Sequence, residues 1–189
     1  AEAAFDQQHG TRSVAMGSAY TAVADDLGAI NWYRAGLTNI KGASFSYAGA
    51  DLMNVGLNYS YFACGTSFGN TGAGISLSAI DDTVLPYTEK TMTFAIAHPF
   101  TSFQVGAAIN ILELDSIEQG KGAGIDLGVQ TNKRFGAGNV GVGLMLHNAY
   151  SKINYTTDSD EIVNRYLSFG IAYNYSSRAL FAFDIHGKE

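Results

Sequence analysis

From Lys41 onward the chain alternates bulky apolar and small residues with a period of two, and this alternation constrains the fold more than any other feature. Val55, Leu57, Tyr59 and Tyr61 alternate with Asn54, Gly56, Asn58 and Ser60. A strand sends successive side chains to opposite faces, so such a run places one face in apolar contact and leaves the other out of it. The same phase recurs at Ala73, Ile75 and Leu77, at Met92, Phe94 and Ile96, at Phe103, Val105, Ala107, Ile109 and Ile111, and at Ile125, Leu127 and Val129. It continues at Val140, Val142, Leu144 and Leu146, at Leu167, Phe169, Ile171, Tyr173 and Tyr175, and at Phe181, Phe183 and Ile185. With Ala43, Phe45 and Tyr47 counted first, residues 41–189 are predicted to form nine antiparallel strands, preceded by a separate segment over residues 1–40.

The second face decides which kind of sheet this is. A soluble sandwich carries Lys, Glu, Thr and Arg toward solvent. Here that face is Gly, Ala, Ser and Asn, with Asp126 and Asp184 as its mid-strand charges. The chain has 22 glycines and 22 Tyr and Phe together, against 15% charged residues. A small, weakly polar face suits the crowded interior of a barrel and a bulky face suits lipid, so the expected fold is all-β, an up-and-down transmembrane barrel. The Gly-x-Gly pairs 72–74, 122–124, 136–138 and 141–143 fall at the strand period and fit close approach by a plug or a neighbouring strand.

Connection lengths follow the same parity. Short turns are expected at 65–71, 99–101, 135–138 and 176–178, and longer ones at 81–89, 115–121 and 150–163, with only 49–51 out of pattern. Nine strands leave the two termini on opposite sides, whereas single-chain bacterial barrels return both to one side. The last residues also lack a terminal aromatic. A truncated chain, a partly observed one, or a sheet completed by other copies or subunits is therefore expected.

Residues 1–12 are polar. From Ser13, a candidate N-cap, Ala15, Ala19, Ala22 and Val23 recur near helical spacing, and their low bulk suits a helix packed inside something narrow. Met16, Gly17, Ala19, Tyr20, Thr21, Ala22, Val23, Ala24, Asp25 and Asp26, followed by Trp32, Ala35, Gly36 and Leu37, match a pattern of the form M-G-x-A-[FY]-T-A-V-A-D-D, a gap, then W-N-P-A-G-L. In this stretch the chain resembles the FadL-like and PorV-like outer-membrane barrels, with Tyr33 and Arg34 standing where that family has Asn-Pro. The resemblance implies an N-terminal hatch inside a barrel of about fourteen strands. It also implies passage or docking of hydrophobic small molecules or secreted proteins. Met16, Gly17, Tyr20, Asp25, Asp26, Trp32 and Arg34 are the candidate hatch and gating residues. The adjacent acids Asp25 and Asp26 are expected to end the hatch helix and to need Arg12, Arg34 or backbone donors to offset the helix dipole.

Tyr59, Tyr61, Phe103, Tyr173, Tyr175, Phe181 and Phe183 are the candidate membrane girdle, against ordinary strand packing as the plain alternative. No catalytic or metal site and no cofactor are expected: the four histidines have no ligand spacing, and no nucleophile elbow or phosphate loop occurs. A net charge of −6 without a Lys/Arg cluster argues against nucleic acid as a partner. The acids at 81–82 and 158–161 are predicted to fall in loops. Cys64 is the only cysteine, excludes an internal disulfide, and is expected on the buried or lumen side. No apolar run reaches the ~18–20 residues of a membrane helix. The start Ala1-Glu2-Ala3-Ala4 fits a mature end after signal cleavage, and an arbitrary boundary equally. Outer-membrane lipid, transported or secreted cargo, and further copies or secretion subunits are the expected partners.

Overall fold

The computed structural model describes residues 10–52, 56–157, 160–176 and 178–188, and within them the protein is one antiparallel up-and-down sheet with an N-terminal segment packed on its inner face. The strands are β1 (Ser44–Leu52), β2 (Leu57–Phe68), β3 (Thr71–Asp82), β4 (Tyr87–Pro99) and β5 (Gln104–Asp115), then β6 (Gln119–Phe135), β7 (Gly138–Tyr155), β8 (Asp160–Glu161), β9 (Tyr166–Tyr175) and β10 (Ala179–Lys188). Nine long strands pair in chain order, and the two-residue β8 pairs only with the end of β7. β1 and β10 have no partner on their outer edges among the described residues, so the sheet is not closed into a barrel. Asn54, Val55, Asp158 and residues 1–9 lie outside the described residues.

The strands run further into their turns than the alternation suggested. The connections at 83–86 and 116–118 are tight, and only 156–165 remains long. The expected contrast between long and short ends therefore holds at one loop. Turn-forming Asp82 and Ser116 accept or donate local hydrogen bonds there, which lets strands of polar sequence continue to the turn.

Outward side chains make a continuous apolar surface. Phe45, Phe94, Ile109, Leu127, Phe169 and Phe183 are all exposed, and their neighbours of the same phase are exposed or half-buried. This surface does not follow the strand register. Ala73 pairs with Ile96, then Ala107, Leu127, Leu146, Leu167 and finally Gly187 along one row of partners. On β3 the apolar run (Ala73, Ile75, Leu77) lies at that row and to one side of it, whereas on β10 the run (Phe181, Phe183, Ile185) lies wholly on the other side. A horizontal apolar band crosses register rows obliquely when strands are tilted, as they are in barrels.

Two girdle assignments are corrected. Tyr59 and Tyr61 face inward: Tyr61 is 1% exposed and Tyr59 packs against the inner core. The phase of β2 is set instead by Phe62, which pairs with outward Tyr47 and Leu77. Bulk on both faces of Tyr59-Ser60-Tyr61-Phe62 hid this in the sequence. Cys64 is corrected with it, since it shares the outward face with Phe62 and is half-buried between its partners Phe45 and Ile75. Phe103, Tyr175, Phe181 and Phe183 are exposed and Tyr173 is half-buried on the outward face. Tyr173 and Tyr175 lie with ring centroids 6.4 Å apart.

Candidate functional site

The N-terminal segment, a plug only in the sense that it fills the inner face of the sheet, is compact and is not the single short hatch helix expected from Ser13 to the acids at 25–26. Helix α1 spans Thr11–Ala15 only, and it is followed by turns and two 3-10 turns, Leu27–Ile30 and Arg34–Asn39. Ser13 lies inside α1, whose N-cap is Gly10. The helix stops because Gly17 and Ser18 both take positive φ, 63° and 66°, a termination that glycine favours. Asp25 and Asp26 do not end a helix. Asp26 begins one, its Oδ1 accepting from Gly28 N at 2.7 Å and from the Tyr20 hydroxyl at 2.6 Å. The acid therefore sits at the favourable end of the turn's dipole. Burial, with Asp26 beside it, pushes the Tyr20 phenol well above its ordinary value.

Every long strand touches this segment. Ala48 of β1 packs on the plug's core. Asn31 accepts from the Tyr61 hydroxyl of β2 (3.1 Å) and from Ser76 Oγ of β3 (2.9 Å), and donates to Thr93 of β4 (3.5 Å). On β5, a Cβ added to Gly106 would stand 2.3 Å from Ala35 N. Gln130 of β6 donates to Ala22 O at 3.1 Å. Leu144 N of β7 donates to the Tyr33 hydroxyl at 2.6 Å, and that hydroxyl meets the carbonyl of Val129. Gly143 leaves the space for the Tyr33 ring, since an added Cβ would lie 2.9 Å from it. On β9, a Cβ at Gly170 would strike Thr21 and Ala22. On β10, Asp184 Oδ2 accepts from Tyr20 N (2.9 Å) and Thr21 N (2.7 Å).

The deepest polar contact is the ion pair of Arg34 with Asp126. Both are almost fully buried, at 3% and 2% exposure. Asp126 also accepts from Asn110 Nδ2 at 2.6 Å and from Asn148 N at 2.7 Å. Asn148 has φ 51° and sits in the irregular stretch of β7 where the register with β6 shifts. One carboxylate thus fixes a plug side chain and a strand bulge together. Asn110 in turn accepts from Thr93, which joins this centre to Asn31.

Of the sequence-predicted hatch residues, Tyr20 and Arg34 are buried, Met16 and Trp32 pack at the edge of the core, and Gly17 is an exposed turn residue. Asp25 is held by Arg12, as expected, but both side chains are about half exposed, and Arg34 turns away from the acids to Asp126. Asn31 and Gln130 are not recognisable as contacts between the segment and the sheet from the sequence, nor is Asn110 as a partner of Asp126. Asp126 and Asp184 were visible as charges on a face of small residues, which is the signal that marks them. Two polar-lined cavities of about 460 and 410 Å³ flank the plug near Arg12, Asp25 and Lys41. No group of three potential metal ligands occurs among the described residues.

Exposed aromatics flank all four turns at one end of the sheet: Phe68, then Phe100 with Phe103, then Phe135, then Tyr175. Phe100 and Phe103 stack with centroids 5.1 Å apart. Only Phe103 and Tyr175 of this rim stood out in the sequence.

No protein-family model matches the chain, and no curated protein and no solved structure is significantly similar to it.

Proposed function

We propose that this chain forms the plugged wall of an outer-membrane β-barrel that passes or docks hydrophobic or secreted cargo. The observation that carries the proposal is the oblique apolar band, bordered at one end by the aromatic rim, on a sheet whose inner face is filled by polar-anchored plug. In water such a band would greatly exceed the few hundred Å² typical of soluble monomers, while in a bilayer it is what a tilted barrel wall requires. The plug would be the FadL-like hatch: a moving element held by Asp126, Asp184 and Asn31, whose release opens the lumen. Lipid is then the partner of the outward face, and a hydrophobic small molecule or a secreted polypeptide the cargo.

The edges of β1 and β10, unpaired among the described residues, favour completion of the sheet by further strands. The nine long strands are joined by eight antiparallel pairings, so β1 and β10 point the same way. Antiparallel closure needs an odd number of further strands. A second copy in the same membrane orientation would bring its β10 beside β1 in parallel, so self-assembly is the weaker form of completion.

Gating is tested by locking the plug to the wall. Asn31→Cys with Ser76→Cys, in a Cys64→Ser background, joins positions whose side chains touch at 2.9 Å. Oxidation should block passage of a fluorescent long-chain fatty acid into vesicles derived from expressing cells, and reductant should restore it. Equal passage in both states would rule out a moving hatch.

A further inference from the structure

Beyond the general lipid contact just proposed, and resting on the membrane-spanning reading, we infer a specific site for one phosphate-bearing anionic lipid on the outward face of β1–β5. A depression of about 490 Å³ lies there. Its apolar lining is a single register row, Tyr47, Phe62, Leu77, Met92 and Ile111. The next row toward the loop at 83–86 is small or polar: Ser60, Ala79, Lys90, Glu113 and Lys121.

Three features of that boundary point to an anionic head group. Ser60 and Ala79 are small, which leaves room for the depression beside Lys90, where Tyr61, Ser78 and Thr91 also line it. Glu113 is already engaged, its carboxylate 3.2 Å from Lys121 Nζ. Lys90 makes no ion pair among the described residues and stands on the line where apolar surface gives way to polar. An ammonium at that level attracts lipid phosphate, while acyl chains cover the row beneath it. The depression is lined by residues of five adjacent strands, β1 to β5, a breadth that suits adjacent acyl chains better than a single protein side chain inserted as an anchor.

The test uses the whole chain reconstituted from equimolar phosphatidylglycerol and phosphatidylcholine, with retained lipids identified by native mass spectrometry and insertion checked by vesicle flotation. The wild type should retain phosphatidylglycerol preferentially. Lys90→Gln should reduce that preference about fivefold, as expected for one lysine at an anionic surface, and Lys90→Arg should keep it. Ala79→Phe, which fills the depression without changing charge, should reduce retention of both lipids. An inserted wild type with no preference, or a Lys90→Gln variant that keeps it, would overturn the site alone. Co-purification of a protein in place of lipid on this face would also overturn it. Failure to float with vesicles would overturn the membrane reading, and the site with it.

Discussion

Replacing Asp126 with alanine should destabilise the protein more than any other single change at a candidate hatch contact. The carboxylate has three partners, Arg34, Asn110 and Asn148 N, none of which can turn to bulk water at 2–4% exposure. After the substitution Arg34 keeps only its bond to Asn31 O, and its Nε already has no hydrogen-bond partner. Stranding one member of a buried ion pair costs about 3–5 kcal/mol, and leaving the bulge N–H of Asn148 unpaired adds about 1–3 kcal/mol. A loss of about 4 kcal/mol or more is expected. The surface pair offers the contrast: Asp25→Ala removes a half-exposed partner of Arg12 and should cost less than about 1 kcal/mol. Urea unfolding in detergent micelles can report both, because Trp32 is the only tryptophan and lies in the plug two residues from Arg34. Arg34→Met combined with Asp126→Leu removes both charges and should recover most of the loss. An Asp126→Ala variant within about 1 kcal/mol of wild type would refute the placement of this pair as the plug's anchor.

Other expectations follow from the same contacts. Gly106→Ala should cost about 3 kcal/mol, because its Cβ would meet plug backbone at 2.3 Å, which is far less able to yield than a flexible side chain. Thermal unfolding compared with outward-facing Ala123→Leu gives the control. Asp184→Ala should strip the protection of the Tyr20 and Thr21 amides in hydrogen exchange, at a cost of about 1–3 kcal/mol, and unchanged protection would mean those amides find other acceptors. Tyr33→Phe keeps the ring in the space left by Gly143 but leaves Leu144 N without its acceptor. A loss of about 1–2 kcal/mol in the same unfolding assay is expected.

The strands were legible because period-two alternation is a local property, and the two inward carboxylates were legible because a charge on a face of small residues is conspicuous. The plug's conformation was not. Ala15, Ala19, Ala22 and Val23 carry a helical spacing, but the backbone polar groups of Tyr20, Thr21 and Ala22 are satisfied by Asp184 and Gln130, more than 100 residues away. Such tertiary partners allow the chain to leave the helix at Gly17, and no local pattern encodes them. Tyr33 and Arg34, which depart from the pattern that residues 16–37 resemble, bind β7 and β6. The inward turn of Tyr59 and Tyr61 was hidden for a different reason. Where both faces of a strand carry bulk, phase is decided by cross-strand partners, here Tyr47 and Leu77 beside Phe62.

The central claim is that the outward band lies in a bilayer and crosses the strand register obliquely. Nitroxides placed singly at Ala73, Ile96, Ala107, Leu127, Leu146 and Leu167, all on one register row, would measure it in proteoliposomes of a Cys64→Ser background. Comparing relaxation by oxygen with relaxation by a water-soluble nickel chelate gives the depth of each label. Depth should be small at Ala73, greatest near Ala107 and Leu127, and small again at Leu167 toward the opposite interface. Equal depth along the row, or nickel access throughout, would contradict a tilted membrane-spanning wall.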